Sequence, residues 1–424
     1  MSQYSPYWSA LSKLFKINAL AFNGEWQIKN SDLIKEFLMP FSTMEDFKNP
    51  QRDYLWSRYK YSALYVNYPN QYLKQALGLA TKNGFEISLP PAMKKYEDYA
   101  TLDNLSLESL FNDLLGSIIK YGSALLVPNI VDEMSTANDL PRIELIPGSD
   151  VLDGETVYDK EKNVDVFKRV VYYKQEYKFN YTTNSYDTPQ IFIYVKGLDV
   201  NGVYYEAKMK EANYSKFNLL DPIQSKDSCE SLSFPVWNSQ IKFVPVVYIN
   251  KDNLKLAWNE SPIQNLIDVS LAIFSLNADL RFLLSQQSSS TLVISGTDLE
   301  SKGIKTGCGA IINLVDNGSK AEYIAPNTSG LSEMNNQLVH LHEIAQSQLL
   351  NLVDVGKDAS GEALSLRVSD KTSELIALVD NACRGLTREL ELIGELIGEN
   401  IDQIEFKSNI DLMFNDLNDE EKYK

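Results

Sequence analysis

The two histidines of the chain lie together in the sequence His-Leu-His-Glu at 340–343. An α-helix turns by about 100° per residue, so His340 and His342 would point about 200° apart, whereas His340 and Glu343 would share a face. Two ligands are too few for a zinc site, and no His-Glu-x-x-His motif or second cluster accompanies them. The pattern therefore predicts solvated histidines and no metal centre.

A second candidate for chemistry is Gly-Ile-Lys-Thr-Gly-Cys-Gly at 303–309, which is similar to the Lys-Thr end of a phosphate-binding loop. Such a loop needs glycine directly before the lysine and a helix directly after the threonine. Here Ile304 precedes the lysine, and Gly307 and Gly309 would break a helix. Since no Gly-x-Ser-x-Gly elbow occurs either, the sequence predicts no enzyme, no catalytic residues and no cofactor.

The composition is typical of a soluble globular protein. The chain has 424 residues, of which 44% are hydrophobic and 23% charged, so two or more packed units are expected. A net charge of −17 argues against a surface that grips nucleic acid broadly, because phosphate neutralisation needs clustered Lys and Arg. Cys229, Cys308 and Cys383 are far apart, which predicts a reducing compartment without a disulfide framework.

The pattern of residues 1–20 does not predict a targeting segment. Lys13 and Lys16 interrupt their apolar side chains, and the cleavage site of a signal peptide is missing. No apolar stretch reaches the roughly 18 to 20 residues that a membrane span needs. We therefore expect a soluble, cytoplasmic chain with no membrane partner.

Helical patterns and an apolar strand occupy the region before residue 130. Residues 51–80 are rich in aromatic side chains at intermittent helical spacing. The run 106–128 places large apolar side chains on one broad face, then passes through Gly122 into a strand pattern at 124–127. The sequence predicts helices that pack under a larger layer.

From about 141 to 250 the hydrophobic period changes from 3.6 to 2. β-Branched and aromatic residues alternate with polar ones, and Asn201-Gly202 is a strong hairpin signal. This region is predicted to form an antiparallel sheet.

Lysine and tyrosine interleave on strands of this predicted sheet. The residues are Tyr172, Lys174, Tyr177 and Lys178. They allow two interpretations, a stacking platform for single-stranded nucleic acid or a half-exposed, tyrosine-rich sheet. The acidic Glu176 and Glu206 in the same strands favour the second.

The last third predicts two helices separated by a strand-rich insert. Ser261-Pro262, an N-cap followed by proline at the first helical position, opens a helical run to about Gln287. Strand patterns follow at 291–296, 309–315 and 320–326. Apolar residues then recur every three or four positions from Leu331 to Leu352, the stripe of an amphipathic helix.

A third helical pattern at 364–398 would be roughly 50 Å long at about 1.5 Å per residue. The soft sequence Asp-Val-Gly-Lys-Asp-Ala-Ser-Gly-Glu-Ala-Leu-Ser-Leu-Arg at 354–367 leads into it. After it, the chain has one more strand pattern at 401–414 and a short acidic tail.

The order of these elements resembles the portal proteins of tailed bacteriophages. The matching stretches are 243–252, 260–296 and 309–338, with weaker similarity at 59–90 and 105–128. Together they cover most of the chain from about 59 to 400. The specificity lies in the order and spacing of the elements, since no short invariant motif is involved.

The resemblance implies an α+β portal fold with an antiparallel helical stem. The implied regions are a wing of helices and antiparallel sheet at 1–260, stem helices at 261–289 and 331–354, a small β-rich clip at 290–330, a tunnel loop at 355–363, a long wing helix at 364–400, and a closing strand with an acidic tail at 401–424. Because so few residues follow the long helix, a helical crown is expected to be absent or minimal.

The resemblance also implies the functional residues. The tunnel loop would face passing DNA through Lys357, Asp358, Ala359, Ser360, Gly361 and Glu362. The clip would contact the terminase or an adaptor through Thr297, Asp298, Lys302, Lys305, Asn317 and Lys320. Gly361 and its small neighbours would give the loop backbone freedom beside rigid helices, although an ordinary connection between helices could have the same sequence.

The implied assembly is a homo-oligomeric ring, typically of twelve subunits, at one capsid vertex of the virion, built in the host cytoplasm. Double-stranded DNA would pass through it during packaging and ejection, and its partners would be the terminase large subunit, the major capsid protein and a head–tail adaptor. Twelve copies with a net charge of −17 give a total charge of roughly −200, and a negative channel wall repels DNA and lowers friction.

The alternative functions are a phage capsid or adaptor protein without a channel, and an enzyme with a glycine-rich site at 303–309.

Overall fold

The computed structural model describes residues 4–38, 50–129, 140–160, 164–177, 179–180, 185–186, 188–234, 243–287, 291–295, 320–324, 329–350 and 361–410. The helices are α1 (Pro6–Asn23), α2 (Glu25–Asn30), α3 (Ile34–Phe37), α4 (Pro50–Ser62), α5 (Tyr68–Thr81), α6 (Leu107–Tyr121), α7 (Glu211–Tyr214), α8 (Gln264–Gln287), α9 (Ser329–Gln348) and α10 (Gly361–Ile397). The strands are β1 (Phe85–Ser88), β2 (Ser123–Asn129), β3 (Arg142–Pro147), β4 (Val151–Asp159), β5 (Val164–Glu176), β6 (Phe179–Asn180), β7 (Ser185–Tyr186), β8 (Gln190–Leu198), β9 (Tyr204–Lys210), β10 (Ser231–Ser233), β11 (Val247–Asn250), β12 (Thr291–Ser295), β13 (Lys320–Ile324) and β14 (Glu405–Ser408).

The chain divides into two compact units. The first unit comprises Met1–Phe22, Pro69–Asn265 and Leu349–Lys424, and the second comprises Asn23–Tyr68 and Leu266–Gln348. The α+β class predicted from the sequence is confirmed. The residues Asn23–Tyr68, which the resemblance assigns to the wing, group with the region that contains most of α8 and α9. The division into wing, stem and clip stays a prediction.

Local sequence signals set both ends of α6. The Ser106 hydroxyl caps the helix by accepting a hydrogen bond from the Ser109 N–H at 3.2 Å. Gly122 ends it in the left-handed conformation with φ 73°, which costs glycine little because it has no Cβ. The predicted helix and the apolar strand after it are therefore confirmed, the strand as β2.

The predicted antiparallel sheet is confirmed as a five-stranded sheet in the order β10-β9-β8-β5-β4. The β8–β9 hairpin turns at the expected position, where Gly202 has φ 76°. The Asp199 carboxylate accepts hydrogen bonds from the N–H groups of Asn201 and Val203, each at 2.8 Å. This side chain therefore holds the connection in one conformation.

A three-stranded antiparallel sheet in the order β11-β2-β3 packs face to face with the five-stranded sheet. Buried side chains of both sheets form one cluster, with Leu125 and Ile146 from the smaller sheet and Val170, Tyr172 and Tyr204 from the larger one. Helices α6 and α10 cover the other face of the smaller sheet. The first unit is therefore layered, because each sheet face that carries large apolar side chains must be covered.

The far face of the five-stranded sheet is covered by helical residues. Ile193, Val195 and Tyr205 are buried there with Tyr214 of α7, and Trp8 of α1 packs against them. The Trp8 indole N–H donates to the Ser149 carbonyl at 2.7 Å, so its polar edge is satisfied.

Within the stretch 401–414, where one strand was predicted, the structure has a short 3-10 turn at Ile401–Gln403 and the strand β14 at Glu405–Ser408. Strand β14 pairs antiparallel with β1, with Phe85 opposite Ser408 and Ser88 opposite Glu405. Phe85, Phe111 and Phe406 have their ring centroids within 5.0 to 5.7 Å of one another, which ties β14 to α6. The end of the described chain is thus part of the core of the first unit.

In the second unit, α4 and the residues after it pack along α8. The buried Tyr59 donates its hydroxyl proton to Asp279 Oδ1 at 2.5 Å, and its ring meets Phe282 edge-on at 5.5 Å. Tyr65 meets Phe274 in the same way at 5.9 Å. These two aromatic contacts pack the residues around α4 against α8.

Two helix boundaries differ from those expected. The helix predicted at 331–354 runs from Ser329 to Gln348 as α9. The Leu350 N–H donates to Gln75 Oε1 at 3.0 Å instead of to a carbonyl one turn back, and Leu349 and Leu350 are buried in the first unit. The helix predicted at 364–398 begins at Gly361 and ends at Ile397 as α10.

Candidate functional site

The predicted tunnel-loop residues Lys357, Asp358, Ala359 and Ser360 lie outside the described residues. Gly361 and Glu362, which we expected in the loop, are the first two residues of α10. The expected loop therefore leads directly into a 37-residue helix.

The predicted clip residues are mostly beyond the described part of the chain. Those outside it are Thr297, Asp298, Lys302, Lys305 and Asn317, together with the strand expected at 309–315. Lys320 is exposed and is the first residue of β13, opposite Ser295 of β12. The two other strands expected in the insert are confirmed as this antiparallel pair.

Close packing against β11 and β14 anchors α10 in the first unit. A Cβ added to Gly385 would lie 2.3 Å from Ile249 Cγ1, so only glycine permits this approach. The Asn381 amide donates to the Asn250 carbonyl at the end of β11. Thr387 Oγ1 accepts from the Phe406 N–H at 3.0 Å and donates to the Phe406 carbonyl at 3.3 Å. These contacts fix the rotation and register of the helix that follows the predicted loop.

The face of the five-stranded sheet that carries the lysine–tyrosine pattern is an ion-paired network. Lys174 pairs with Glu144, Lys196 with Glu206 at 2.8 Å, and Lys208 with Glu176 at 2.7 Å. Each cation has a carboxylate of opposite charge, so the network as a whole offers little attraction to phosphate.

Two tyrosine rings of this network, Tyr172 and Tyr194, pack on each other. Tyr172 is buried and stacks on Tyr194 with ring centroids 5.5 Å apart and planes 4° from parallel. The Lys174 ammonium lies 4.6 Å from the Tyr194 ring centroid. Tyr177 is exposed, and Lys178 lies outside the described residues. The observed contacts support the interpretation as a tyrosine-rich sheet.

A buried carboxyl on α10 was not anticipated from the sequence. Glu389 is fully buried, and neither of its carboxylate oxygens has a hydrogen-bond partner among the described residues. Burial raises the pKa of Glu389 to about 8, although the positive charges of Lys196 and Arg388 oppose the rise. At neutral pH the group is therefore mostly uncharged. Its signal in the sequence is its position three residues after Leu386, which places it on the apolar stripe of the helix.

The Lys196 side chain, whose positive charge acts on this carboxyl, is also buried. It donates to Glu206 at 2.8 Å and to the Pro128 carbonyl and Asn129 Oδ1, each at 3.3 Å. Its charge is thus compensated by Glu206 and by backbone and amide oxygens.

The two histidines do not form a metal centre with each other. His340 is exposed and lies 3.8 Å from Glu343, whereas His342 Nδ1 is 2.8 Å from the Tyr68 hydroxyl. Across the described ranges, no three His, Cys, Asp or Glu side chains are grouped to hold a metal ion.

Of the cysteines, Cys308 is outside those ranges, and burial raises the pKa of the Cys383 thiol to about 12.

Residues 262–396 match the model of a family described as a domain of unknown function, DUF4055. This range contains α8, β12, β13, α9 and almost all of α10. No curated protein matches the chain. None of the helices in the described part of the chain is long and apolar enough to span a bilayer.

Three solved structures show low similarity to the chain. The first, described as the virion of a native gene transfer agent particle, is 12% identical, with 86% of each chain covered and a TM-score of 0.38. The second, described as the neck of the native particle computed with C12 symmetry, is 11% identical over 81% of each chain with a TM-score of 0.37. The third, the neck of the empty particle computed with C6 symmetry, is 13% identical over 80% of each chain with a TM-score of 0.36. TM-scores below 0.5 do not establish a common fold.

Proposed function

We propose that this chain is a portal subunit of a tailed phage or phage-like particle. One observation carries the proposal: α8, the antiparallel pair β12–β13, the returning α9 and the 37-residue α10 follow one another in this order, and α10 is anchored on a mixed α/β unit. This is the order of stem, clip, stem and long wing helix that the sequence resemblance implies.

In the proposed ring, the fixed helix α10 and the loop before it have different roles. The contacts of Gly385, Asn381 and Thr387 keep α10 fixed on the first unit. The residues 355–360 before α10 would face the channel and contact DNA briefly through Lys357. The β12–β13 pair with Lys320 would carry the contacts to the terminase or to an adaptor. The acidic charge would keep most of the channel wall from adhering to the duplex.

The assembly would lie at the capsid vertex of the virion and serve as a conduit without its own catalysis. The terminase large subunit would supply the energy of packaging, and the major capsid protein and a head–tail adaptor would surround the ring. The second candidate function is a capsid or adaptor protein without a channel. An adaptor is usually much shorter than 424 residues, which favours the portal.

The mass of the purified full chain in solution tests this proposal. Twelve subunits of 48.0 kDa give about 580 kDa, and a mass close to this value supports the portal. A monomer of 48.0 kDa at every concentration, including in the presence of terminase, contradicts it. Mass photometry at low salt and at high salt separates closed rings from open aggregates, because only a closed ring gives one discrete mass.

A further inference from the structure

The amino group of Lys196 lies against a side-chain amide in the interior of the first unit. Lys196 belongs to β8, and its side chain is 4% exposed. Its Nζ donates to Glu206 Oε1 at 2.8 Å and to the Pro128 carbonyl and Asn129 Oδ1, each at 3.3 Å. Asn129 is the last residue of β2, so this contact joins the three-stranded sheet to the five-stranded sheet.

The side-chain amide of Asn129 is held in one orientation. Its Nδ2 donates to Glu144 Oε2 at 2.6 Å, and a carboxylate accepts hydrogen bonds only from the nitrogen side of an amide. Glu144 is itself paired with Lys174. The amide oxygen of Asn129 therefore points to Lys196 Nζ, and the carbonyl carbon Cγ lies one bond beyond that oxygen.

Glu206 is placed to exchange a proton with Lys196. The two residues are directly opposite each other in the β8–β9 register. The buried Tyr204 hydroxyl donates to the same oxygen, Glu206 Oε1, at 2.6 Å and so fixes the carboxylate beside the amine. A buried ion pair is penalised by desolvation, and transfer of one proton from the ammonium to the carboxylate gives two neutral groups. The neutral amine is a nucleophile, whereas the ammonium is not.

We propose that Lys196 and Asn129 form an isopeptide bond and that Glu206 is the catalytic residue. Glu206 takes a proton from the ammonium, and a rotation about the Cε–Nζ bond directs the freed electron pair to Asn129 Cγ. The Nζ–Cγ bond forms, the carbonyl becomes a tetrahedral alkoxide, and its collapse breaks the Cγ–Nδ2 bond.

The atoms of this step balance without any further reactant. Of the three ammonium protons of Lys196, one stays on the new amide nitrogen. The other two, one of them carried by Glu206, leave with Asn129 Nδ2 as an ammonium ion. Glu206 is thus restored as a carboxylate, and the chain loses the mass of one ammonia.

The bond would tie the two sheets of the first unit together covalently. Lys196 and Asn129 are 67 positions apart in the sequence, so the bond closes a large loop. A cross-link that closes a large loop restricts the unfolded chain and stabilises the folded one. All five side chains involved belong to the first unit, so the inference holds whether or not the chain forms a ring.

Mass spectrometry of the purified, folded full chain tests the inference. The intact mass should be lower than the mass of the sequence by one ammonia. After proteolysis, the segments that contain residues 129 and 196 should be found joined in one branched peptide. Wild-type chain recovered from inclusion bodies and kept in urea should have the full mass, because only folding brings the two residues together.

Two variants and one matched control assign the roles. Glu206→Gln removes the proton acceptor and Asn129→Ser removes the carbon that is attacked, so both chains should keep the full mass. Both should also migrate more slowly than the wild type on a denaturing gel, because they lack the closed loop. Glu176→Gln is the control: it breaks the Lys208–Glu176 ion pair of the same sheet and should leave the cross-link in place.

Thermal melts show which variants are folded. If Glu206→Gln does not fold, Asn129→Ser provides the test, because Asn129 is only partly buried at the end of its strand. A folded wild-type chain that keeps its full mass overturns the inference. A loss of ammonia confined to a single peptide is a succinimide and overturns it too. A folded Glu206→Gln chain that still forms the branched peptide refutes the role of Glu206. None of these results bears on the portal proposal.

Discussion

The buried carboxyl of Glu389 should make the free energy of unfolding depend on pH, and the substitution Glu389→Gln should remove this dependence. Its pKa is raised from 4.5 to about 8 in the folded chain because burial penalises the charged form. A group whose folded pKa is raised contributes its full stability below the unfolded pKa and loses it as the pH rises through the folded pKa. The free energy of unfolding should therefore fall from about pH 4.5 to about pH 8 and level off above that.

The size of this effect follows from the two pKa values. Each pKa unit corresponds to about 1.4 kcal/mol, so the fully ionised carboxyl costs about 5 kcal/mol. Most of this cost arises between pH 5.5 and pH 9, where the linkage relation gives about 3 kcal/mol. Glu389→Gln keeps the shape of the side chain and removes its charge, so the variant should not show this part of the pH dependence.

Urea denaturation of the wild-type chain and of Glu389→Gln at pH 5.5 and pH 9, at one subunit concentration, measures the difference. All other titrating groups are shared by the two proteins and cancel in the comparison. Glu399→Gln, at an exposed glutamate just after α10, is the control and should follow the wild type. Equal loss of stability in the wild type and in Glu389→Gln between the two pH values would refute the reasoning.

Three further predictions concern the anchoring of α10, a hydrogen bond in the second unit and the proposed DNA contact. Gly385→Ala places a Cβ against Ile249 and should lower the free energy of unfolding by about 1–3 kcal/mol. Gly78→Ala is the control: this residue lies in open space on α5, and the substitution should raise the free energy of unfolding by about 0.5–1 kcal/mol. Calorimetry that finds the same sign for both variants would contradict the close packing of α10 at Gly385. Tyr59→Phe removes the hydrogen bond to Asp279 and should cost about 1.5–3 kcal/mol in chemical denaturation, and an unchanged midpoint would show that this bond does not stabilise the second unit. Lys357→Ala should alter DNA packaging or retention and leave the ring mass unchanged, and a variant that fails to form rings would count against a role restricted to DNA.

Elements with local signals were predictable from the sequence. Ser106 and Gly122 mark the two ends of α6, and Asn201-Gly202 marks the β8–β9 turn, because capping and turn formation depend on a few neighbouring residues. The strand pair at both ends of the insert was also visible from its alternating side chains.

Features that depend on distant partners were not predictable. The end of α9 at Gln348 depends on Gln75, a residue more than 270 positions earlier in the chain. The burial of Glu389 depends on how α10 packs, and its position on the apolar stripe only hints at it. The approach of α10 to β11 depends on Gly385, which in sequence is one glycine among many. Of the candidate site, Lys320, Gly361 and Glu362 fall within the described residues, and the remaining assignments rest on the sequence resemblance.

The most direct test of the central claim is an electron micrograph of the purified full chain viewed end-on. The account predicts rings with an open central hole, and the number of lobes gives the number of subunits. Compact particles the size of one chain, or assemblies without a hole at any concentration, would contradict it.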